Sequence, residues 1–210
     1  MTVASYHALT RAPSGGAPLV FAFHGTGGDE HQFSALAADI LPAAGFVAPR
    51  GDVCEHGALR FFRRTGEGIY DMEDLALRTR KMAEFVAAHR AENPDRPVYG
   101  FGYSNGANIL AAVAFRHPYL FDRIALLHPL IPWTPEPSAG LSRKRVLVTG
   151  GRRDPICPPE QTGALLDYFR AQDARLELVL HNGGHELRQG EIDALRGFLT
   201  DTGMEMEKCP

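Results

Sequence analysis

Ser104 stands at the centre of Gly102-Tyr103-Ser104-Asn105-Gly106, a G-x-S-x-G pattern. A serine hydroxyl is a weak nucleophile at neutral pH. It becomes useful beside a base, and the base needs a carboxylate to fix its tautomer and stabilise the imidazolium. Two later segments offer those groups, Gly150-Gly151-Arg152-Arg153-Asp154-Pro155 and His181-Asn182-Gly183-Gly184-His185. The chain order Ser104, Asp154, His185 is that of nucleophile, acid and base around a nucleophile elbow. Asp52, Asp122 and Asp173 are rival acids, placed less consistently with a strand end, and His181 is the rival base, one turn early. The glycines between His181 and His185 deny the helix that would align the two as metal ligands, so no metal is expected. Acyl transfer also needs two N–H donors for the developing oxyanion. Asn105, directly after the serine, offers one, and Thr26 in His24-Gly25-Thr26-Gly27-Gly28-Asp29 offers the other. That turn is no phosphate cradle, because no Lys-Ser/Thr follows it.

These residues need strands and tight loops to hold them. Leu19–Phe23 is a continuous apolar run, the pattern of a strand buried on both faces, and it runs straight into the His24 turn. Further strands are predicted over Phe46–Pro49, Pro97–Gly102, Arg123–Leu127, Arg145–Thr149 and Leu176–Leu180, with His7–Thr10 at most a short edge strand. Helices are predicted over 30–41, from Asp71 as cap to about His89, over 107–114, from Pro158 to about Gln172, and over 191–199. Ser104, Asp154, His185 and the His24 turn then all follow strands, and in an open parallel sheet such loops converge on one edge. The fold class is α/β, a mostly parallel sheet covered on both faces, in one domain spanning residues 1–210. Asp52–Tyr70 lacks periodicity and reads as a packed excursion over the sheet edge, while 201–210 reads as a frayed tail. The segment between Leu127 and Arg145 is too short for a helical lid domain.

Bulk properties exclude several classes of function. The 210 residues are 44% hydrophobic and 22% charged, with a formal net charge of -3 and a pI near 6.3. Nothing there favours nucleic acid or an anionic membrane as partner. Cys54, Cys157 and Cys209 are odd in number and in no metal-like spacing, so a reducing compartment is the simpler reading. No apolar run approaches bilayer-spanning length and no secretory signal is visible at the N-terminus, which makes cytoplasm the expected location. A homodimer stays open.

Four segments together resemble the phospholipase/carboxylesterase family of α/β-hydrolases: the His24–Asp29 turn, Gly102–Ala107, Gly151-Arg152-Arg153-Asp154-Pro155-Ile156-Cys157-Pro158 and Gly183-Gly184-His185-Glu186-Leu187. The bacterial carboxylesterases of that family, some linked to hydroquinone or aromatic-compound resistance, are most similar. The likeness extends to Phe61-Phe62-Arg63-Arg64 and Gly68-Ile69-Tyr70-Asp71, and departs at Pro132–Pro137. It implies a serine esterase on small carboxylic esters, without metal or organic cofactor, with Ser104, Asp154 and His185 as triad and Thr26 with Asn105 as oxyanion donors. Phe61, Phe62, Trp133, Ile156 and Leu187 are the apolar residues nearest the catalytic loops and candidates for substrate contact. Arg63 and Arg64 read as a solvated loop before they read as an anion site. A thioesterase or lysophospholipase would use the same triad. A dienelactone hydrolase would be expected to carry cysteine at position 104, and a non-catalytic binding protein has no use for an activated serine.

Overall fold

A computed structural model describes residues 3–201. The elements in chain order are β1 (Ala8–Arg11), β2 (Leu19–Phe23), α1 (Ser34–Ile40) and β3 (Gly45–Pro49). Two small hairpins follow, β4 (Val53–Glu55) with β5 (Ala58–Arg60) and β6 (Arg64–Gly66) with β7 (Ile69–Tyr70). Then come α2 (Met72–Glu92), β8 (Val98–Tyr103), α3 (Asn105–Arg116), β9 (Arg123–Leu127), β10 (Arg145–Gly151), α4 (Pro159–Ala171), β11 (Arg175–His181) and α5 (Gln189–Thr200).

The main sheet has seven strands in the order β1-β3-β2-β8-β9-β10-β11. Every neighbouring pair is parallel except β1 with β3. Alternate side chains of the central strands feed two separate cores, as a pleated strand buried on both faces requires. Leu19, Phe21 and Phe23 of β2, Ile124 and Leu126 of β9, and Val146 and Val148 of β10 pack with α2, α3 and α4. Val20 and Ala22, Ala125 and Leu127, and Leu147 face the opposite way, toward Phe33, Ala37 and Ile40 beside α1 and Leu195, Phe198 and Leu199 of α5.

The predicted strands all form, some one or two residues longer than their apolar runs. The helix expected over 30–41 is shorter, because residues 29–33 coil into turns in which the Asp29 carboxylate accepts from the His31 N–H at 2.9 Å. Asp71 caps α2 as expected, its carboxylate accepting from the Asp74 N–H at 3.0 Å. The aperiodic stretch 52–70 resolves into the two hairpins, each too short to show a period of two. The expected frayed tail, apart from Asp201, lies outside the described residues.

β3 is added on one side of β2 and β8 through β11 on the other, so the strand order reverses between β2 and β8. Loops leaving the carboxyl ends of those two strands part in opposite directions and leave a crevice. The His24 turn and Ser104 are the residues at its two lips.

Candidate active site

Ser104 sits between β8 and α3 with φ 52° and ψ -118°, a conformation that L-residues rarely adopt. Its N–H donates to Leu127 O at 2.8 Å, which ties the turn to β9. The flanking glycines are required by contact distances. A Cβ on Gly102 would lie 2.6 Å from the Gly106 carbonyl, and one on Gly106 would lie 2.2 Å from Phe23 O. Strand, helix and neighbouring β2 therefore close on one another only because neither position has a side chain.

The loops after β10 and β11 are pressed together in the same manner, since a Cβ on Gly151 would lie 2.0 Å from Gly184 O. This approach brings His185 between the other two groups. His185 Nε2 is 2.9 Å from Ser104 Oγ, and His185 Nδ1 is 2.7 Å from Asp154 Oδ2. Asp154 is buried, and its other oxygen, Oδ1, accepts from the N–H groups of Ile156 at 2.9 Å and Cys157 at 3.0 Å. Burial works against ionising that carboxyl, yet the hydrogen bonds from His128, Cys157, His185 and Ile156 outweigh it and hold Asp154 below its ordinary range. An ionised Asp154 keeps the His185 proton on Nδ1 and turns the Nε2 lone pair toward Ser104. Tyr103 steadies the loop, its hydroxyl donating to His185 O at 2.6 Å.

The rivals are engaged elsewhere. His181 Nε2 faces Glu191 Oε2 at 3.1 Å. Asp52 pairs with Arg78 and Lys81, Asp122 accepts from the Val98 N–H, and Asp173 accepts from the Ser142 hydroxyl. His24 shapes its turn: Nε2 accepts from the Gly51 N–H at 2.8 Å, which leaves Nδ1–H to meet Gly25 O at 2.7 Å, and burial lowers its proton affinity.

Beside Ser104 lies a cavity of about 340 Å³ that Thr26, Asn105 and His185 help to line. Its walls are knit by side chains. Arg60 donates to Thr26 Oγ1 at 2.9 Å and to Phe62 O at 3.3 Å, and Asn105 Oδ1 accepts from the Phe61 N–H at 2.7 Å. The contacts to Thr26 and Asn105 pin the first hairpin region against the His24 turn and the Ser104 turn. On the far wall Asn108 accepts from the Leu130 N–H at 2.7 Å and donates to the Tyr70 hydroxyl at 2.8 Å, which donates to Leu130 O.

Comparisons with known proteins bear on the family and the fold. The Hydrolase_4 family, described as serine aminopeptidase, S33, matches residues 17–144. MhqD of Bacillus subtilis (strain 168), which carries a hydrolase name, is 35% identical over 180 residues, 85% of this chain and 90% of that protein. The chain belongs to the α/β-hydrolases of this family. Among solved structures, the hydrolase is similar to Atu2452 of Agrobacterium tumefaciens str. C58, a protein of unknown function, at 55% identity with a TM-score of 0.90. That match covers 95% of this chain and 98% of the other. The Bacillus cereus carboxylesterase superposes with a TM-score of 0.87 at 32% identity, covering 92% of this chain and 93% of that one. The likeness to carboxylesterases expected from the sequence therefore holds, as does the fold.

Of the five apolar candidates for substrate contact, the hydrolase brings only Ile156 to the cavity lining. Phe61 and Phe62 are fully buried core residues, because the hairpins turn the aromatic pair inward against Phe23 and Tyr70. Trp133 packs on the outer side of Tyr70 and lines a separate groove of about 670 Å³ between α2, α3 and the proline-rich loop. Leu187 packs against the core beneath α5. Arg63 is exposed and pairs with Asp71 and Asp74, whereas Arg64 reaches the cavity wall and pairs with Glu55 at 3.0 Å. Sequence reasoning missed Arg60, Asn108, Tyr70, His128 and the Asn105 side chain. Only His128, directly after an apolar strand, stood at a position of the kind that flagged Ser104 and Asp154. No helix of the described residues is long and apolar enough to cross a membrane.

Proposed function

We propose that this hydrolase is a serine carboxylesterase that cleaves small carboxylic esters through an acyl-enzyme. The carrying observation is the unbroken contact from Ser104 Oγ through His185 to the buried Asp154, at 2.9 and 2.7 Å. His185 takes the Ser104 proton as the oxygen attacks the ester carbonyl. The N–H groups of Thr26 and Asn105 stabilise the oxyanion, the protonated His185 returns its proton to the leaving alcohol, and water releases the acid by the same steps in reverse order. Two features support a small substrate: a cavity of about 340 Å³, near the lower end of ligand-site sizes, and a lining that mixes Arg60, Arg64 and Glu67 with Leu130 and Ile156.

A fluorophosphonate probe tests the reading, since it labels only an activated serine. Labelling is expected in the wild type and absent in Ser104→Ala, which should retain its melting temperature while ester turnover falls by roughly 10⁴- to 10⁶-fold. On p-nitrophenyl esters, acetate and butyrate should be cleaved faster than chains of twelve carbons. Faster cleavage of acyl-CoA than of oxygen esters would instead assign a thioesterase.

A further inference from the structure

The contacts around Asp154 continue past it. His128 follows β9 directly, has φ 52°, and is completely buried. Its Nδ1 lies 2.8 Å from Asp154 Oδ2, the same oxygen that receives His185, and its Nε2 lies 3.0 Å from Glu191 Oε1. Glu191, also buried, accepts from the Thr149 hydroxyl at 2.6 Å and from the Arg188 N–H at 2.8 Å. It sits in the first turn of α5, where the helix dipole favours its ionised form.

The two histidines that touch Glu191 differ in what their nitrogens meet. His181 Nδ1 accepts from the Gly183 N–H at 2.9 Å, so its single proton lies on Nε2, which approaches Glu191 Oε2 at 3.1 Å without a well-aligned hydrogen bond. His128 has a carboxylate oxygen opposite each nitrogen. One proton would leave a bare lone pair facing a carboxylate oxygen in a site closed to water, where nothing screens the repulsion. Nε2 has the Glu191 carboxylate 3.0 Å away but makes no well-aligned hydrogen bond to it or to anything else among the described residues. Besides Asp154 and Glu191, the groups facing the His128 ring are His185 with ring centres 5.1 Å away, His181 at 5.5 Å, Tyr103 at 5.8 Å, and the Cys157 thiol, which donates to His128 O. None of them is a cation fixed in place.

We propose that His128 is a positioning residue protonated on both nitrogens at neutral pH, an imidazolium locked between Asp154 and Glu191, which keeps Asp154 ionised and aimed at His185. The inference rests on the Ser104–His185–Asp154 reading for its effect on turnover, but the protonation state of His128 does not. Burial opposes a charged His128, yet its contacts with Glu191 and Asp154 prevail and shift it upward. The same contacts shift both carboxyls downward against burial. The three groups together carry one negative charge, as a lone aspartate would, but that charge is spread from the rim of the site to the start of α5.

The direct test is nitrogen NMR of the ¹⁵N-histidine-labelled wild type at neutral and mildly alkaline pH. Both His128 nitrogens should give protonated-type resonances, slow to exchange with water and unchanged as the other histidines titrate. One protonated nitrogen only, or displacement of the proton by added Zn²⁺, would overturn the proposal. Kinetics supply the second test. In His128→Gln two buried carboxylates lose the cation between them, so Asp154 takes up a proton at higher pH than before. The acid limb of the rate profile should move to higher pH, with kcat reduced roughly tenfold to a hundredfold and KM little changed. Adding Glu191→Gln removes the uncompensated charge and should return the limb toward its wild-type position. A merely structural role predicts additive damage without that return. Inactive but doubly protonated wild-type protein would count against the esterase reading and leave the His128 assignment standing.

Discussion

Ser104, His185 and Asp154 are joined by hydrogen bonds whose directions follow from which atoms can donate. Asp154 is saturated by four donors, two ring nitrogens on Oδ2 and two backbone N–H groups on Oδ1, so it has no freedom to turn away from His185. Tyr103 constrains His185 from the other side through its backbone carbonyl. Burial, with the Asp154 carboxylate nearby, pushes the Tyr103 hydroxyl up to about 12, so it remains a donor at every pH at which an esterase is assayed. Tyr103→Phe removes that donor and nothing else. It should cost about 1 kcal/mol of stability in denaturant titrations and lower kcat several-fold, with the ester KM unchanged. Cys157 lies 3.9 Å from His185 Nδ1, but burial raises its thiol well above the ordinary range. It should resist alkylation under conditions that modify the exposed Cys54.

At the scale of elements, two glycines illustrate opposite requirements. Gly106, in the first turn of α3, lets the helix start against the carbonyls of Phe23 and His24 at the end of β2. Gly106→Ala forces backbone against backbone and should lower unfolding free energy by at least about 3 kcal/mol, with loss of probe labelling. Gly163 lies inside α4, and a Cβ there would meet nothing within 4 Å. Gly163→Ala should stabilise the protein by about 1 kcal/mol and leave turnover untouched. The hairpins of residues 53–70 serve the site through single contacts, Arg60 to Thr26 and the Phe61 N–H to Asn105. Their strands of two or three residues carry no periodic signal, and for that reason the stretch reads from sequence as an undivided loop.

For the whole molecule, the buried group of Asp154, His128 and Glu191 links function to stability. The two carboxyls are held below their ordinary values, so their contribution is complete above the unfolded range and is lost as pH falls through the folded values. His128 is held above its ordinary value, so its contribution is complete below that value and is lost as pH rises through the raised one. Thermal melts across pH should show a stability plateau with a decline at each end. In His128→Gln the alkaline decline owed to His128 should disappear and the acid decline should begin at higher pH.

The order of strands and helices, the sharp turn at Ser104 and the trio with Asp154 and His185 were legible in the chain itself, because each depends on local pattern. An apolar run marks a buried strand, and a glycine marks a close approach whose partner need not be known. The partner surfaces were not legible. Phe61 and Phe62 look like pocket residues until the hairpins turn them into the core, Arg60 looks unremarkable until β5 lies against the His24 turn, and the partners of His128 are hidden until β9, β10 and α5 are side by side. Hydrogen bonds between residues dozens of positions apart, such as His128 with Asp154 and Thr149 with Glu191, leave no spacing to read. Only the packing of the sheet against α5 brings those groups within reach, and only burial makes the charge of each one matter to the next.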